Sequence, residues 1–172
     1  MKKCLNLACG NMPIKSTNEE HWINSDKYYY PGTAEMHPDW GVPSDYDWEQ
    51  GDFTTDLAKY EDNSIDKVRI IHGLEHTYLE GAVHTLEEIY RILKPSGTIE
   101  IEVPDLVSAF NFNTSTMIDM VYGGRNENSL QFGHNCGFTR DILLKLVNDC
   151  GFTVEEMVTS TPDKSFKLKG AK

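Results

Sequence analysis

The segment His72-Gly-Leu-Glu-His76 places two imidazoles on either side of a carboxylate. Histidine changes its protonation state near neutral pH, so one of these rings could act as a general base or hold a polar substrate. The spacing His-x-x-x-His could instead present two zinc ligands on one turn of a helix. The His-Glu-x-x-His order of zinc hydrolases is absent, however, and the sequence signals no third ligand. We therefore predict no metal site from the sequence.

Residues 4–11, Cys-Leu-Asn-Leu-Ala-Cys-Gly-Asn, form a second stretch with chemical meaning. An apolar strand, predicted over residues 4–9, runs into a turn of small residues. Glycine in such a turn lets the backbone approach a ligand at the C-terminal edge of a sheet, where open α/β sheets bind their ligands. The dinucleotide fingerprint G-x-G-x-x-G would need glycine in place of Ala8 and Pro13, so an NAD-type oxidoreductase is disfavoured.

Further motifs follow this turn in a characteristic order. They are Trp-Ile-Asn-Ser-Asp (22–26), Asp-Asn-Ser-Ile-Asp (62–66), His-Gly-Leu-Glu-His (72–76), Arg-Ile-Leu-Lys-Pro-Ser-Gly (91–97), Val-Pro-Asp (103–105) and Gly-Phe-Thr (137–139). The series resembles the class I S-adenosylmethionine-dependent methyltransferases, in particular their small, single-domain members. Each motif alone is weak, whereas the ordered series is specific and covers most of the chain.

The resemblance implies a binding site for S-adenosylmethionine at the C-terminal ends of the first strands. Asp26, which ends the second strand, would accept two hydrogen bonds from the ribose hydroxyls, and the alternative is a solvated or capping aspartate. The acid near the adenine amine would be Asp52 or Asp56, of which we favour Asp52. The cofactor-binding residues implied in this way are Leu7, Ala8, Cys9, Gly10, Asn11, Asp26, Asp52, Phe53 and His72.

The chain departs from the family pattern at Ala8, which stands where the first glycine is usual, and at Asn11, which replaces the last one. If position 8 needs a positive φ, the alanine methyl is unfavourable by roughly 1 kcal/mol, whereas ordinary strand dihedrals would make it harmless. The departure keeps a second hypothesis open. In it, the chain is a non-catalytic methyltransferase-like module for binding or assembly.

His134, in Gln-Phe-Gly-His-Asn-Cys (131–136), is the leading candidate for contact with the methyl acceptor, with His76 as the second candidate catalytic residue. In the family this segment, between the fifth strand and the last helix, folds over the acceptor side of the pocket. The alternatives are a loop histidine bonded to backbone carbonyls, a His76 packed under the cofactor and a His72 that contributes mainly backbone atoms. Arg125 could bind an acidic substrate or form an ion pair.

The predicted acceptor is a small polar or saccharide-like molecule. Methyl transfer from an activated sulfonium can depend mostly on positioning, so a dedicated base is not required. Only residues 1–3 precede the first predicted strand, whereas family members usually draw acceptor specificity from segments there. We therefore expect a homo-oligomer or a partner subunit to complete the pocket.

Composition excludes several other classes of protein. Among 172 residues, 27 are acidic and 16 basic, and the net charge of −11 repels nucleic-acid phosphates. The four cysteines show no Cys-x-x-Cys pair, which favours a reduced, cytoplasmic protein. No stretch approaches the roughly 18 apolar residues of a membrane span. The length predicts one domain over residues 1–172.

Strand and helix patterns alternate along the chain, which predicts an α/β, Rossmann-like, doubly wound, mostly parallel sheet. The resemblance adds an antiparallel C-terminal hairpin. The first crossover, with Pro13, is expected to be abbreviated, and an irregular, aromatic-rich insertion is predicted at about residues 27–50. After the first strand, strands are predicted at 22–25, 66–72, 98–103, 152–160 and 165–171, and helices at 79–93 and 142–150.

Overall fold

Seven strands form one sheet in the computed structural model, which describes residues 1–10, 12–28, 46–111, 114–123, 133–160 and 164–172. The strands are β1 (Lys2–Leu7), β2 (Glu20–Asp26), β3 (Trp48–Gln50), β4 (Ile65–Ile71), β5 (Leu93–Pro104), β6 (Thr153–Ser160) and β7 (Ser165–Ala171). Their order across the sheet is β3-β2-β1-β4-β5-β7-β6. The strands from β1 to β5 pair in parallel, and β7 lies antiparallel between β5 and β6. The predicted fold class, including the C-terminal hairpin, is confirmed.

Two long helices cover one face of this sheet. Helix α1 buries Ala82, Leu86 and Ile89 from the predicted apolar stripe, and helix α4 buries Leu143 and Val147. Both sets join one core cluster with the inward side chains of β1, β4 and β5, so both helices lie on the same face. The helices of the described residues are α1 (Leu79–Ile92), α2 (Leu106–Ala109), α3 (Thr114–Tyr122) and α4 (Arg140–Asp149), with 3-10 turns at Asp56–Lys59 and Leu74–His76.

The opposite face of the sheet carries a row of polar side chains, because successive residues of a strand point to opposite faces. On β1, Asn6 lies between the core residues Leu5 and Leu7 and points to this second face. The strand register places one residue from each strand side by side in this row. From one edge of the sheet to the other the row is Trp48, Asn24, Asn6, Arg69, Glu100, Lys169 and Glu156.

The crossover from β1 to β2 contains no helix in its described part, residues 12–19, as the sequence predicts. Buried amides hold this segment in place of a helix. Asn24 donates to the carbonyl of Ile14 at 2.9 Å and accepts from its N–H at 2.7 Å. Asn6 donates to Asn24 Oδ1 and to the carbonyl of Met12, both at 2.9 Å. Three of these hydrogen bonds thus hold residues 12–14 against the polar face, and the fourth joins Asn6 to Asn24.

Two strand boundaries differ from the prediction. Strand β1 ends at Leu7, before position 9, because Ala8 has a φ of 48° and leaves the extended conformation. Strand β5 begins at Leu93, whereas the sequence predicts a strand only from residue 98. Leu93 is extended and pairs with Ile65. Lys94, which precedes Pro95, also favours an extended backbone.

The predicted insertion at 27–50 falls mostly on residues 29–45, which lie outside the described residues. Its last part is regular, because Trp48–Gln50 forms β3 and pairs in parallel with β2. Asn11 and Arg125 also lie outside the described residues.

Candidate cofactor and acceptor site

The turn after β1 brings backbone groups to the C-terminal edge of the sheet. Gly10 has a φ of 48°, and a Cβ atom built on it would meet no other atom within 4 Å, so its backbone faces open space. Ala8 has the same φ and therefore sits in the left-handed region, the less favourable of its two predicted conformations. Leu7 and Cys9 are buried, and burial raises the pKa of the Cys9 thiol. Of these residues, Gly10 presents its backbone to open space most clearly.

Asp26 connects this turn to the end of β2. Its Oδ2 accepts the Gly10 N–H at 3.0 Å, and its Oδ1 accepts the Tyr28 N–H at 2.9 Å. A carboxylate has about four acceptor sites, so it can bind backbone N–H groups and a vicinal diol together. The geometry is that of a carboxylate that bridges two strand ends rather than that of a capping residue of a helix.

Asp52 and Phe53 follow β3 at the same edge of the sheet. Asp52 Oδ1 accepts from Thr54 N and Thr54 Oγ1 at 3.0 and 2.6 Å, and its Oδ2 lies 2.9 Å from Lys27 Nζ. Partial burial by itself would raise the pKa of Asp52, but the bonds from Thr54 and Lys27 outweigh it and hold this pKa below the usual range. Asp56 instead accepts the Asp52 N–H at 2.9 Å.

His72 terminates β4 with a φ of 51°. Its N–H donates to the Glu102 carbonyl at 2.9 Å, while its Nδ1 lies 3.3 Å from Glu75 Oε1. At the next residue, a Cβ atom built on Gly73 would lie 2.8 Å from the Ala8 Cβ. Gly73 is therefore needed for close packing of two strand ends, whereas the positive φ of this turn belongs to His72.

The 3-10 turn Leu74–His76 and the segment that begins at residue 133 form a second group of polar side chains. Asn135 joins them, since its N–H donates to the Glu75 carbonyl at 2.7 Å and its Nδ2 to the His76 carbonyl at 2.7 Å. The rings of His76 and His134 meet edge to face with centroids 5.1 Å apart. The two candidate catalytic histidines, which are far apart in the sequence, thus lie side by side.

Hydrogen bonds to α3 orient His134. Its N–H donates to the Tyr122 carbonyl at 2.9 Å, and its Nδ1 lies 2.9 Å from the Met120 carbonyl. Burial lowers the pKa of His134, and the nearby Glu75 only partly opposes this effect, so the neutral ring is favoured near neutral pH. A neutral imidazole can accept a proton or bind a cation.

A small pocket opens beside this group of side chains. Sequence reasoning assigned no role to Glu75, although its position between two histidines was a signal. Glu75 is only 1% exposed, and its Oε2 has no hydrogen-bond partner among the described residues. The pocket is lined by Glu75, Pro104, Leu106, Met120, His134 and Cys136.

Residues 31–101 match a protein family described as a methyltransferase domain. The sterol 24-C-methyltransferase of Saccharomyces cerevisiae is 29% identical over 142 residues, which cover 82% of this chain and 33% of the yeast protein. The chain thus spans about a third of the length of this curated relative.

Solved methyltransferase structures share the fold. A methyltransferase of Haloferax volcanii, in complex with the Trm112 methyltransferase activator, has 16% identity and a TM-score of 0.69 over 99% of this chain and 82% of that chain. An S-adenosylmethionine-dependent methyltransferase of Methanosarcina mazei has 13% identity and a TM-score of 0.65 over 99% and 92%. The chain therefore has the fold of the class I S-adenosylmethionine-dependent methyltransferases.

The described residues of this chain fit S-adenosylmethionine, the cofactor on which the Methanosarcina mazei protein depends. Gly10 leaves open space at the strand edge, and Asp26 offers a charged acceptor beside it. When bound, the cofactor supplies a methyl group on a positively charged sulfur. Across the described part of the chain, no helix combines the length and apolar character needed to cross a membrane.

Proposed function

We propose that this chain binds S-adenosylmethionine at the C-terminal ends of β1 to β4 and transfers its methyl group to a small polar or saccharide-like acceptor. The observation that carries the proposal is the hydrogen bond from Gly10 N to Asp26 Oδ2. It holds the open backbone of the first turn and the acid of the second strand at one edge. This is the arrangement that a nucleoside with a vicinal diol requires.

The cofactor residues have distinct roles in this proposal. Asp26 accepts the ribose hydroxyls, since charge-assisted hydrogen bonds are about twice as strong as neutral ones. Asp52 lies toward the adenine amine, with Phe53 beside it, and its lowered pKa keeps it ionised at neutral pH. The backbone from Leu7 to Asn11, which includes Ala8, Cys9 and Gly10, contacts the methionine part of the cofactor. His72, at the end of β4, forms the base of the cofactor site.

The acceptor side is assigned to His134 and His76, whose rings are in contact. The ring of either histidine could receive the proton that a hydroxyl acceptor loses during methyl transfer. The net charge of −11 favours a small acceptor over a nucleic acid. Small-molecule specificity also agrees with the limited size of the pocket that Glu75 and His134 line.

Isothermal titration with S-adenosylhomocysteine, followed by a screen of metabolites with methyl-labelled S-adenosylmethionine, tests the proposal. We expect one binding site per chain and one acceptor class that gains label. A chain that binds neither cofactor nor product contradicts the proposal outright. Binding without transfer to any acceptor favours the alternative function.

The alternative is a non-catalytic methyltransferase-like module for binding or assembly. The φ of 48° at Ala8 favours it, because an L side chain in this conformation strains the turn on which the cofactor would lie. A weak site is the expected result of such strain. A partner subunit that completes the acceptor pocket fits either function, as does the predicted cytoplasmic location, and light scattering of the purified chain tests for a homo-oligomer.

A further inference from the structure

Glu75, His76 and His134 bring one carboxylate and two imidazoles together, with one ligand atom from each within 4.8 Å of the others. We propose that these three side chains bind one divalent transition-metal ion. A set of two histidines and one carboxylate is typical of zinc and of non-haem iron sites, and it leaves coordination positions open. Neither the sequence motifs nor the relatives assign such a site to this chain.

The state of Glu75 is the first observation in favour of an ion. Its side chain is 1% exposed, and its Oε1 is paired with His72 Nδ1 at 3.3 Å. Its Oε2 is buried without a hydrogen-bond partner in the described residues. A buried carboxylate oxygen without a partner is costly, and a cation beside it would remove this cost.

The orientation of the two rings is an independent observation. His76 Nδ1 lies 3.4 Å from the Gly133 carbonyl, and His134 Nδ1 lies 2.9 Å from the Met120 carbonyl. In metal sites, a ligating histidine almost always donates its second ring N–H to a carbonyl or carboxylate in this way. The tautomer that these contacts favour has its lone pair on Nε2, so Nε2 would be the ligand atom of each ring.

The backbone around the three ligands is well connected. Asn135 donates to the carbonyls of both Glu75 and His76, each at 2.7 Å, so the two segments cannot separate easily. Ligand atoms about 2.1 Å from a tetrahedral ion are about 3.4 Å apart, so each ligand atom needs to move by only about 1 Å or less. Rotation of the side chains supplies a shift of this size. The adjacent pocket offers room for a water or an acceptor oxygen on the ion.

The role of the ion rests on the proposed function. A hydroxyl of the acceptor, bound to the ion, has a lowered pKa and releases its proton to solvent. Its oxygen lone pair then forms the O–C bond while the S–C bond of the cofactor breaks and S-adenosylhomocysteine leaves. In this scheme His76 and His134 are ligands and not bases. Loss of either histidine would abolish turnover whether the histidines act as ligands or as bases. The test must therefore measure metal binding directly.

The test uses the full chain without an affinity tag, dialysed against a chelator and titrated with ZnCl2 in a calorimeter. Co2+ provides a second readout, because its visible absorption reports coordination by nitrogen and oxygen. We expect one equivalent of metal per chain. In His76→Ala and His134→Ala, affinity should fall by more than the roughly 10- to 100-fold that loss of an outer partner costs. His84→Ala, which removes an exposed histidine of α1, should bind like wild type.

Metal that binds weakly, in several equivalents, or equally well to wild type and both variants overturns the inference. Glu75→Gln serves as a third variant, and circular dichroism shows whether each variant is folded. Titration of the same samples with S-adenosylhomocysteine separates the two proposals. If the chain binds metal but not S-adenosylhomocysteine, only the proposed function is contradicted. If it binds S-adenosylhomocysteine but not metal, only the metal site is contradicted.

Discussion

The backbone N–H of Gly10 donates to the carboxylate of Asp26 at 3.0 Å, although 16 residues separate them in the chain. The bond joins the turn after β1 to the end of β2, and both residues lie at the edge where α/β sheets bind ligands. Asp26 therefore has two tasks, since it holds the turn and faces the expected ribose. Substitutions at this position must separate these tasks.

Asp26→Ala should weaken S-adenosylhomocysteine binding by roughly 1.5 to 3 kcal/mol, because a charge-assisted contact to the ribose is lost. Asp26→Asn keeps an acceptor for the Gly10 N–H and removes only the charge, so its loss should be smaller. Isothermal titration measures both. Asp149→Asn, an exposed acid at the end of α4, is the matched control. Equal affinity in wild type and Asp26→Ala would remove Asp26 from the site.

Ala8→Gly should tighten cofactor binding and leave the fold unchanged. The φ of 48° at Ala8 costs roughly 1 kcal/mol for an alanine and nothing for a glycine. Titration with S-adenosylhomocysteine measures affinity, and thermal unfolding measures stability. A variant that binds no more tightly than wild type would count against a site degraded by Ala8, and with it against the non-catalytic alternative.

His134→Ala should leave S-adenosylhomocysteine affinity nearly intact and abolish turnover of the acceptor found by screening. Binding and chemistry are separate measurements, so this variant distinguishes an acceptor contact from a cofactor contact. Weaker S-adenosylhomocysteine binding with residual turnover would place His134 on the cofactor. Normal turnover together with a lower melting temperature would make it structural.

Asp52 should contribute to stability above its unfolded pKa of about 3.8 and lose this contribution as the pH falls through its lower folded pKa. The sign follows because the folded state binds fewer protons at Asp52 than the unfolded state. Urea unfolding from pH 7 down to about pH 3 should show a steeper loss for wild type than for Asp52→Asn. Lys27→Met, which removes the ion-pair partner, should reduce the difference. If the free energy of unfolding falls equally with decreasing pH in wild type and in Asp52→Asn, the lowered pKa of Asp52 is contradicted.

Asn24→Ala should destabilise the fold by roughly 2 to 4 kcal/mol, since it removes hydrogen bonds from several buried or partly buried polar groups. These are the Asn6 amide and both backbone groups of Ile14. Asn148→Ala, an exposed asparagine in α4, should change the free energy of unfolding little. Urea unfolding of both variants checks the comparison. A small effect at Asn24 would mean that residues 12–14 are held by other contacts.

Short-range patterns were enough to predict much of the fold. The stripe of α1 and the helix that ends before Gly151 follow from helical spacing, and both are confirmed. The family resemblance then supplied the antiparallel C-terminal hairpin, which is also confirmed. The conformation of Ala8 remained open, because the sequence does not reveal which dihedrals a turn adopts. Its positive φ is known only from the folded chain.

The meeting of Glu75 with His134 could not be predicted from spacing. The two residues are 59 positions apart, and the contact depends on the path of the chain after β5 and on Asn135. The buried amides of Asn6 and Asn24 were missed for a similar reason. They interact only because the register of β1 on β2 places them side by side.

Charges on the polar face alternate from strand to strand, with Arg69 on β4, Glu100 on β5, Lys169 on β7 and Glu156 on β6. Lys169 lies 3.0 Å from Glu156 and is paired in register with Glu100. If β6 and β7 exchanged places, Glu156 would lie on the strand next to Glu100, and like charges on adjacent strands repel. The alternation thus disfavours one wrong topology of the C-terminal hairpin. Surface charge therefore favours the observed order of β6 and β7, in addition to the packing of the core.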